Sequence, residues 1–468
     1  MTETALTALS ATELVRLYRA RALSPVAVTR AVLNRIESQN PRINAFVVVD
    51  AKGALAAAAE SEARWGHGEP LGLLDGVPVS VKDLLAQRGL PTRRGSKTTS
   101  AEGPSDEDAP AVARLREHGA VLLGKTTTSE FGLKGMGDSP LSGVTRNPWH
   151  LEHTPGGSSA GAVAAVAAGF GPLAVGTDGG GSIRVPSSFS GVVGLKPTFG
   201  VVSQSPPQIV GVPPHVGPIA HNVEDAALLL SVLSAPDPRD PFRAPLTRFD
   251  YRDLGPRSLE GVSIGYSKTL GFAEVTDEVA ALFERAVGIF RSLGAAVEPR
   301  DPGFSRPAAI VQTLFWGRAA LTVHKLSPEQ RAQLDPAILA SAQQGERLSA
   351  LDYLQAEAQR IELAERMVRY HRRFDLLLTP TTAGVAPKHD APDALAQLGQ
   401  RAPFAGAFSL TRQPAISVPI GLSAGGLPIG IQIIGRHFED ARVLAAARAF
   451  EASPEMLEFR ARATALRS

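Results

Sequence analysis

The chain contains no cysteine. That absence excludes disulfides, thiolate metal sites and a cysteine nucleophile, and it suits a reducing compartment without requiring one. An excess of either charge is missing too: 48 Lys and Arg stand against 46 Asp and Glu, for a net charge of +2. Such a balance gives no electrostatic footprint for nucleic acid or an anionic membrane. Long apolar runs are also lacking. The longest weakly polar stretch, residues 160–176, is rich in Ala, Val and Gly, is interrupted by Pro172, and is too short to span a bilayer. The amino terminus has acidic residues early and charges throughout, unlike a secretory signal, so a soluble cytoplasmic protein is expected. Internal repeats and low-complexity tracts are absent.

At 468 residues the chain can bury a large core. Apolar residues at helical spacing over 13–22, 25–39 and 51–65 predict an outer helical layer across residues 1–65, capped near Ser10. From about residue 70 the pattern changes to short apolar runs at 77–81, 120–123 and 173–176, with a helical segment at 109–118. This alternation predicts a mixed or parallel α/β sheet. Residues 66–235 form the expected catalytic core, and 236–260, rich in proline and charge, read as a surface connection. Over 261–468 the sheet continues, with strands at 262–266, 295–297, 375–378, 415–418 and 429–434 and helices at 277–293 and, finally, 440–452. A helical excursion over 304–374 either covers a pocket or serves as a packing layer.

Two glycine runs feed serines: Thr154-Pro-Gly-Gly-Ser158-Ser159 and Gly176-Thr-Asp178-Gly-Gly-Gly-Ser182-Ile-Arg184. Glycines adopt positive φ and allow close approach, so Gly179, Gly180, Gly181 and Ser182 can turn successive N–H groups into one concavity. Donors so placed form an oxyanion hole, each worth about 3–4 kcal/mol of barrier, and they make Ser182 the candidate nucleophile. Plain turns are the alternative. Phosphate binding is disfavoured, because neither turn is followed by the Lys-Ser/Thr of a P-loop and no dinucleotide fingerprint is present. Residues 157–161 match G-x-S-x-G, but the preceding 147–155 are polar, carry two prolines and cannot be the buried strand of a nucleophile elbow. No histidine is well placed for a triad: His437 lies in a charged stretch. His150 and His153 lack a third metal ligand and read as loop residues.

A serine without histidine or cysteine needs another base, and lysine is the usual one. Nine of the 48 basic residues are lysine, and Lys82, Lys125 and Lys196 each end an apolar run. A lysine base must be neutral, which requires its environment to supply roughly 4–5 kcal/mol, and burial can do so. Residue chemistry alone leaves all three open, with a solvent-reaching strand-end lysine as the alternative for each.

These segments together resemble the amidase signature family. The likeness runs through Leu74-Asp-Gly-Val-Pro-Val-Ser-Val-Lys82-Asp, Leu123-Gly-Lys-Thr, Thr145-Arg-Asn-Pro-Trp, both glycine-serine turns and Gly194-Leu-Lys-Pro-Thr. It returns at Leu377-Leu-Thr-Pro-Thr, Gln413-Pro-Ala-Ile-Ser-Val-Pro and Gly426-Leu-Pro-Ile-Gly-Ile-Gln, so nearly the whole chain is covered. The resemblance implies a single large α/β/α domain with a central mixed, mostly parallel β-sheet covered by helices. It implies a cofactor-free, metal-free hydrolase with Lys82 as base, Ser158 as relay after a cis peptide from Gly157, and Ser182 as nucleophile. Ser159 supports the relay, while Asp178 and Arg184 fix the glycine turn unless they form only a surface ion pair. Departures from the family pattern are Ala160-Gly161 in place of two glycines, which bears on the start of that helix and not on the triad, and Thr127 and Ser409 in place of Asn and Arg412 in place of Gly, which bear on substrate choice.

The expected substrate is a small to medium amide, apolar or aryl, or an ester or carbamate with the same reactive acyl carbon. Phe131, Gly132 and Leu133 and residues 310–316 are expected to line its pocket, with core packing as the alternative. Partners beyond the substrate are not expected: no nucleic acid, no membrane, a monomer or homodimer. A second reading is the glutamine-hydrolysing subunit of a tRNA-dependent amidotransferase, which residues 200–218 do not resemble. A silent binding protein on the same fold is the third.

Overall fold

In a computed structural model of the chain, residues 2–99, 103–209, 211–245, 250–304 and 307–467 are described. The first helices form where apolar periodicity meets good caps. Ser10 and Glu13 make a reciprocal capping box at the start of Ala11–Arg19, and Ser24 caps Pro25–Ile43 ahead of a proline at its first turn.

Among the described residues eleven strands join one sheet: β1 (Phe46–Val49), β2 (Pro78–Lys82), β3 (Val121–Thr126), β4 (Leu173–Asp178), β5 (Val193–Lys196), β6 (His215–Ala220), β7 (Ser263–Tyr266), β8 (Ala296–Pro299), β9 (Leu376–Pro380), β10 (Ala415–Leu422) and β11 (Pro428–Gly435). Their spatial order is β1-β3-β2-β4-β6-β5-β10-β11-β9-β7-β8. Parallel pairing occupies two blocks, β3-β2-β4 and β9-β7-β8. The strands from β4 through β6, β5, β10 and β11 to β9 pair antiparallel, as does β1 with β3, so the sheet is mixed.

Every residue of β2, β3, β4, β5, β6, β9 and β11 is buried, as expected of strands covered on both faces. Successive side chains of β4 enter different cores. Leu173 and Val175 join the large cluster that includes Leu229 of the helix Val223–Leu233, whereas Ala174 packs with Val163 and Ile183. The chain is one α/β domain, with helices against both faces of the sheet.

The helical excursion comprises Pro307–His324, Pro328–Arg331, Pro336–Glu346 and Ala350–Tyr370; residues 305–306 lie outside the described set. Three expectations need correction. The first 65 residues are not helix alone, because β1 joins the sheet edge; four residues between two helices are too few to show a period. The helix Asp440–Glu451 is not the last, since Leu457–Arg467 follows and its Arg467 carbonyl accepts a hydrogen bond from Thr7 Oγ1 at 2.8 Å. The stretch 236–260 is not simply superficial: Asp237, Asp240, Tyr251 and Leu254 are buried, and the Tyr251 N–H donates to Ser231 Oγ at 2.8 Å. Residues 246–249 of that stretch lie outside the described set. Among the described residues no helix is long and apolar enough to cross a membrane.

Candidate active site

Strand β2 delivers Lys82 at its carboxyl end, where the side chain is 0 % exposed. Its Nζ lies within hydrogen-bonding distance of Ser158 Oγ at 2.8 Å, Ser159 Oγ at 2.9 Å and Thr177 Oγ1 at 2.8 Å, with the Thr177 carbonyl at 3.4 Å. Burial pushes this amine well below the usual lysine range, against the Asp178 charge, which pulls the other way. The two rival lysines are placed differently. Lys125 Nζ pairs with Asp83 Oδ1 at 2.9 Å, and Lys196 Nζ donates to the carbonyls of Gln413 and Pro197. Both amines are lowered, chiefly by burial, yet neither contacts a candidate serine. Of the three, Lys82 alone reaches the serine turns.

Ser158 and Ser159 precede the wholly buried helix Ala160–Ala167. The Gly157–Ser158 peptide is cis. Glycine is required at 157 by close approach: a Cβ there would stand 2.3 Å from the Met136 carbonyl oxygen. Ser159 stitches the two glycine-serine turns together, its N–H donating to the Ser182 carbonyl at 3.2 Å and its Oγ to the Thr177 carbonyl at 3.1 Å.

Ser182 follows β4 in the second turn and is half-buried, on the wall of a cavity of about 490 Å3. Its hydroxyl makes no hydrogen bond to a described residue. The four proposed oxyanion donors are not equivalent. The Gly181 N–H already donates to Asp178 Oδ1 at 2.8 Å, whereas the N–H groups of Gly179, Gly180 and Ser182 have no acceptor among the described residues. Asp178 also receives the N–H groups of Ile183 and Arg184, at 3.2 and 3.4 Å.

Asp178 and Arg184 are not a surface pair. Arg184 grips the carboxylate through Nε and Nη2, both at 2.9 Å, and both side chains are 0 % exposed. Ser409 Oγ accepts from Arg184 Nη2 at 2.7 Å and donates to Asp178 Oδ1 at 3.1 Å, while Gln432 Oε1 accepts from Arg184 Nη1 at 2.5 Å. Burial alone would raise the Asp178 carboxyl, but the charge and hydrogen bonds of Arg184 outweigh it and hold the group below the usual carboxylate range. His215 Nδ1 contacts the Asp178 carbonyl oxygen at 3.0 Å. Thr177, Gln432 and His215 were not singled out from the sequence. The first two sit inside motifs quoted above, but nothing in a threonine or glutamine by itself announces a lysine ligand or an ion-pair support.

Phe131, Gly132 and Leu133 all line the cavity that Ser182 borders. From 310–316 Phe315 lines it, whereas Ile310 and Leu314 are buried in a separate core. The departures from the family pattern stand behind the site and outside the cavity lining. Thr127 Oγ1 bonds to Thr145 Oγ1 at 2.6 Å, Ser409 belongs to the ion-pair network, and the Arg412 guanidinium lies over the Phe199 ring at 4.8 Å. Their expected bearing on substrate therefore has no direct contact to act through. His150 and His153 stack edge to face, and among the described residues no group of three acidic or histidine side chains converges on a metal position. A larger cavity, about 770 Å3, lies beside Tyr251, Leu254 and Ala446 and contains none of these groups.

The Amidase family model matches residues 27–444. The chain is 37 % identical over 463 residues to an acylamidase of Rhodococcus erythropolis, covering 97 % of each chain. It is 36 % identical to a Glutamyl-tRNA(Gln) amidotransferase subunit of Symbiobacterium thermophilum, covering 95 % of this chain and 96 % of the relative. The crystal structure of a bacterial aryl acylamidase of the amidase signature enzymes superposes with a TM-score of 0.90 at 31 % identity, over 97 % of this chain and 98 % of that one. By fold and by sequence over nearly its full length, the chain belongs to the amidase signature family and is an amidase, a hydrolase of carbon–nitrogen bonds.

Proposed function

We propose that the protein hydrolyses small to medium amides through an acyl-enzyme on Ser182, with Ser158 as relay and Lys82 as base. The observation that carries this reading is a fully buried lysine amine, without a carboxylate partner among the described residues, hydrogen-bonded to the serine pair beside the cavity that Ser182 borders. Neutral Lys82 takes the Ser158 hydroxyl proton as Ser158 takes that of Ser182, and Ser182 Oγ attacks the amide carbonyl. The N–H groups of Gly179, Gly180 and Ser182 receive the developing oxyanion, while the Gly181 N–H keeps the turn bound to Asp178. The same relay run backwards protonates the leaving amine, and water then releases the acid. Substrate arrival closes the Ser158–Ser182 contact, as is common where free-enzyme hydrogen bonds are loose. Gly157 and Ser159 hold the relay, and Asp178 and Arg184 hold the turn.

Phe131, Leu133 and Phe315 favour an apolar or aryl group on the substrate, in keeping with the acylamidase and aryl acylamidase relatives. Esters and carbamates present the same acyl carbon and are further candidates. Labelling with a fluorophosphonate is expected to place the adduct on Ser182, and Ser182→Ala to lower kcat on an anilide by about 10³-fold or more. An adduct elsewhere, or near wild-type turnover by Ser182→Ala, sinks the nucleophile assignment. A second reading, the glutamine-using component of a tRNA-dependent amidotransferase, is favoured by the 36 % identity to the Symbiobacterium thermophilum relative. Glutaminase activity that depends on co-purifying subunits would support it, and anilide turnover by the isolated chain would count against it.

A further inference from the structure

The helix Pro307–His324 borders the catalytic cavity, and what it presents there is graded. Phe315 sits nearest the chemistry: a methyl group built on Gly180, in the oxyanion turn, would stand 3.2 Å from its ring. Arg318, Thr322 and Lys325 follow at spacings of three, four and three residues, so they continue the same face, and all three line the cavity. Among the described residues no Asp or Glu lines that cavity. The chain as a whole is almost charge-balanced, so cations here without a carboxylate are a local arrangement rather than a general basic surface.

Arg318 is the informative member. Its Nη2 donates to Gln208 Oε1, and no acidic side chain among the described residues neutralises it. Burial lowers its guanidinium below the usual arginine range, so the charge is partly desolvated and has no described carboxylate beside it. An arginine in that state retains donors in a planar fork that fits a carboxylate. Lys325, exposed just beyond the end of the helix, adds charge where an approaching anion would first be felt.

We propose that the substrate is an anionic amide. It carries a carboxylate that binds Arg318, beyond an apolar or aryl portion seated against Phe315, with Lys325 drawing it toward the cavity. A rise of about 1.5 Å per residue places Arg318 and Lys325 roughly 5 and 15 Å along the helix from Phe315. The carboxylate therefore lies several bonds from the scissile carbonyl. This inference rests on the amide-hydrolysing reading of Ser182 given above.

Two matched pairs test it: glutaryl para-nitroanilide against butyryl para-nitroanilide for an anion on the acyl side, and para-acetamidobenzoate against acetanilide for one on the amine side. Wild-type kcat/KM is expected to favour the anionic member of one pair by about tenfold, the scale of a charge-assisted hydrogen bond. That ratio should approach one in Arg318→Gln, mainly through KM, and be partly restored in Arg318→Lys. It should fall about threefold in Lys325→Gln, an exposed position that leaves folding untouched, and decline as ionic strength rises. Calorimetric binding of the same four compounds to Ser182→Ala reads the preference without turnover. Anion preference in binding without wild-type hydrolysis keeps the subsite and overturns the catalytic reading. Hydrolysis without preference in either pair, or a preference unchanged in both Arg318→Gln and Lys325→Gln, overturns the subsite.

Discussion

A lysine amine that is 0 % exposed, bonded among the described residues to hydroxyls and a carbonyl, loses hydration that the Asp178 charge only partly offsets, and the neutral form is favoured. Lys82 is in that state, and two consequences follow. Replacing it in Lys82→Met is expected to lower kcat by about 10²–10⁴-fold and to abolish the acid limb of the pH–rate profile, which reports protonation of the base. The stability effect has the opposite sense. With the folded amine lowered and the unfolded one ordinary, the unfolded chain binds more protons between the two values, so wild-type stability rises with pH across that window. Lys82→Met removes this penalty, and its melting temperature at pH 7 should be no lower than that of the wild type; a marked drop in scanning calorimetry would assign Lys82 a mainly structural role. Residue chemistry in the sequence reached the three candidate lysines but could not rank them. Lys125 and Lys196 end equally apolar runs, and only the folded chain shows that one meets Asp83 and the other backbone carbonyls.

Elements set the spacing of the serines. The helix Ala160–Ala167 holds Ser158 and Ser159 against Lys82 because its first turn can approach the chain at Ala45 and Thr127 closely. A Cβ on Gly161 would stand 2.2 Å from the Ala45 carbonyl oxygen and 2.4 Å from the Thr127 nitrogen, both backbone atoms that cannot swing aside. Gly161→Ala is therefore expected to cost about 1–3 kcal/mol of stability. It should also lower kcat by more than about tenfold, because the serine pair moves with the helix. Ala160→Gly, which restores the family's glycine pair, should change kcat little and cost under about 1 kcal/mol; denaturant melts with parallel kinetics distinguish the two. Sequence periodicity found the longer helices and most strands to within a few residues, since one buried face imposes a regular pattern. It missed β1, too short for a period, and β6, whose His215 and Pro218 interrupt the apolar pattern. It also missed Leu457–Arg467, where charged residues mask the few that dock, and Val223–Leu233, whose nearly complete burial leaves too narrow a polar face to set a period.

On the scale of the whole molecule, the two ends of the chain close over the helix Val223–Leu233. Asp225 accepts the Ala11 and Thr12 N–H groups at 2.8 and 2.9 Å, Glu451 accepts that of Val223 at 2.9 Å, and the Arg467 carbonyl receives Thr7. Burial pushes the Asp225 carboxyl up to about 6 and that of Glu451 up to about 7, and lowers Arg467 to about 10. A carboxyl raised by folding holds its proton where the unfolded chain has released it. Its contribution to stability therefore falls as pH rises from about 4 toward 7. Glu451→Gln keeps an acceptor for Val223 and removes the titration. It should melt higher than the wild type by on the order of 2 °C at pH 8 and show no gain at pH 5, whereas parallel melting curves at both pH values would remove Glu451 from the account. The sequence by itself determined the α/β class, the two glycine-serine turns and the family, because these depend on local pattern and residue type. Tertiary structure decided which lysine meets the serines, that the Asp178–Arg184 pair is buried, that Gly181 is spent on Asp178, and that Arg318 faces the cavity without an acid among the described residues. Each of those depends on which distant segments meet and on what burial does to a charge, and neither is written in the order of residues.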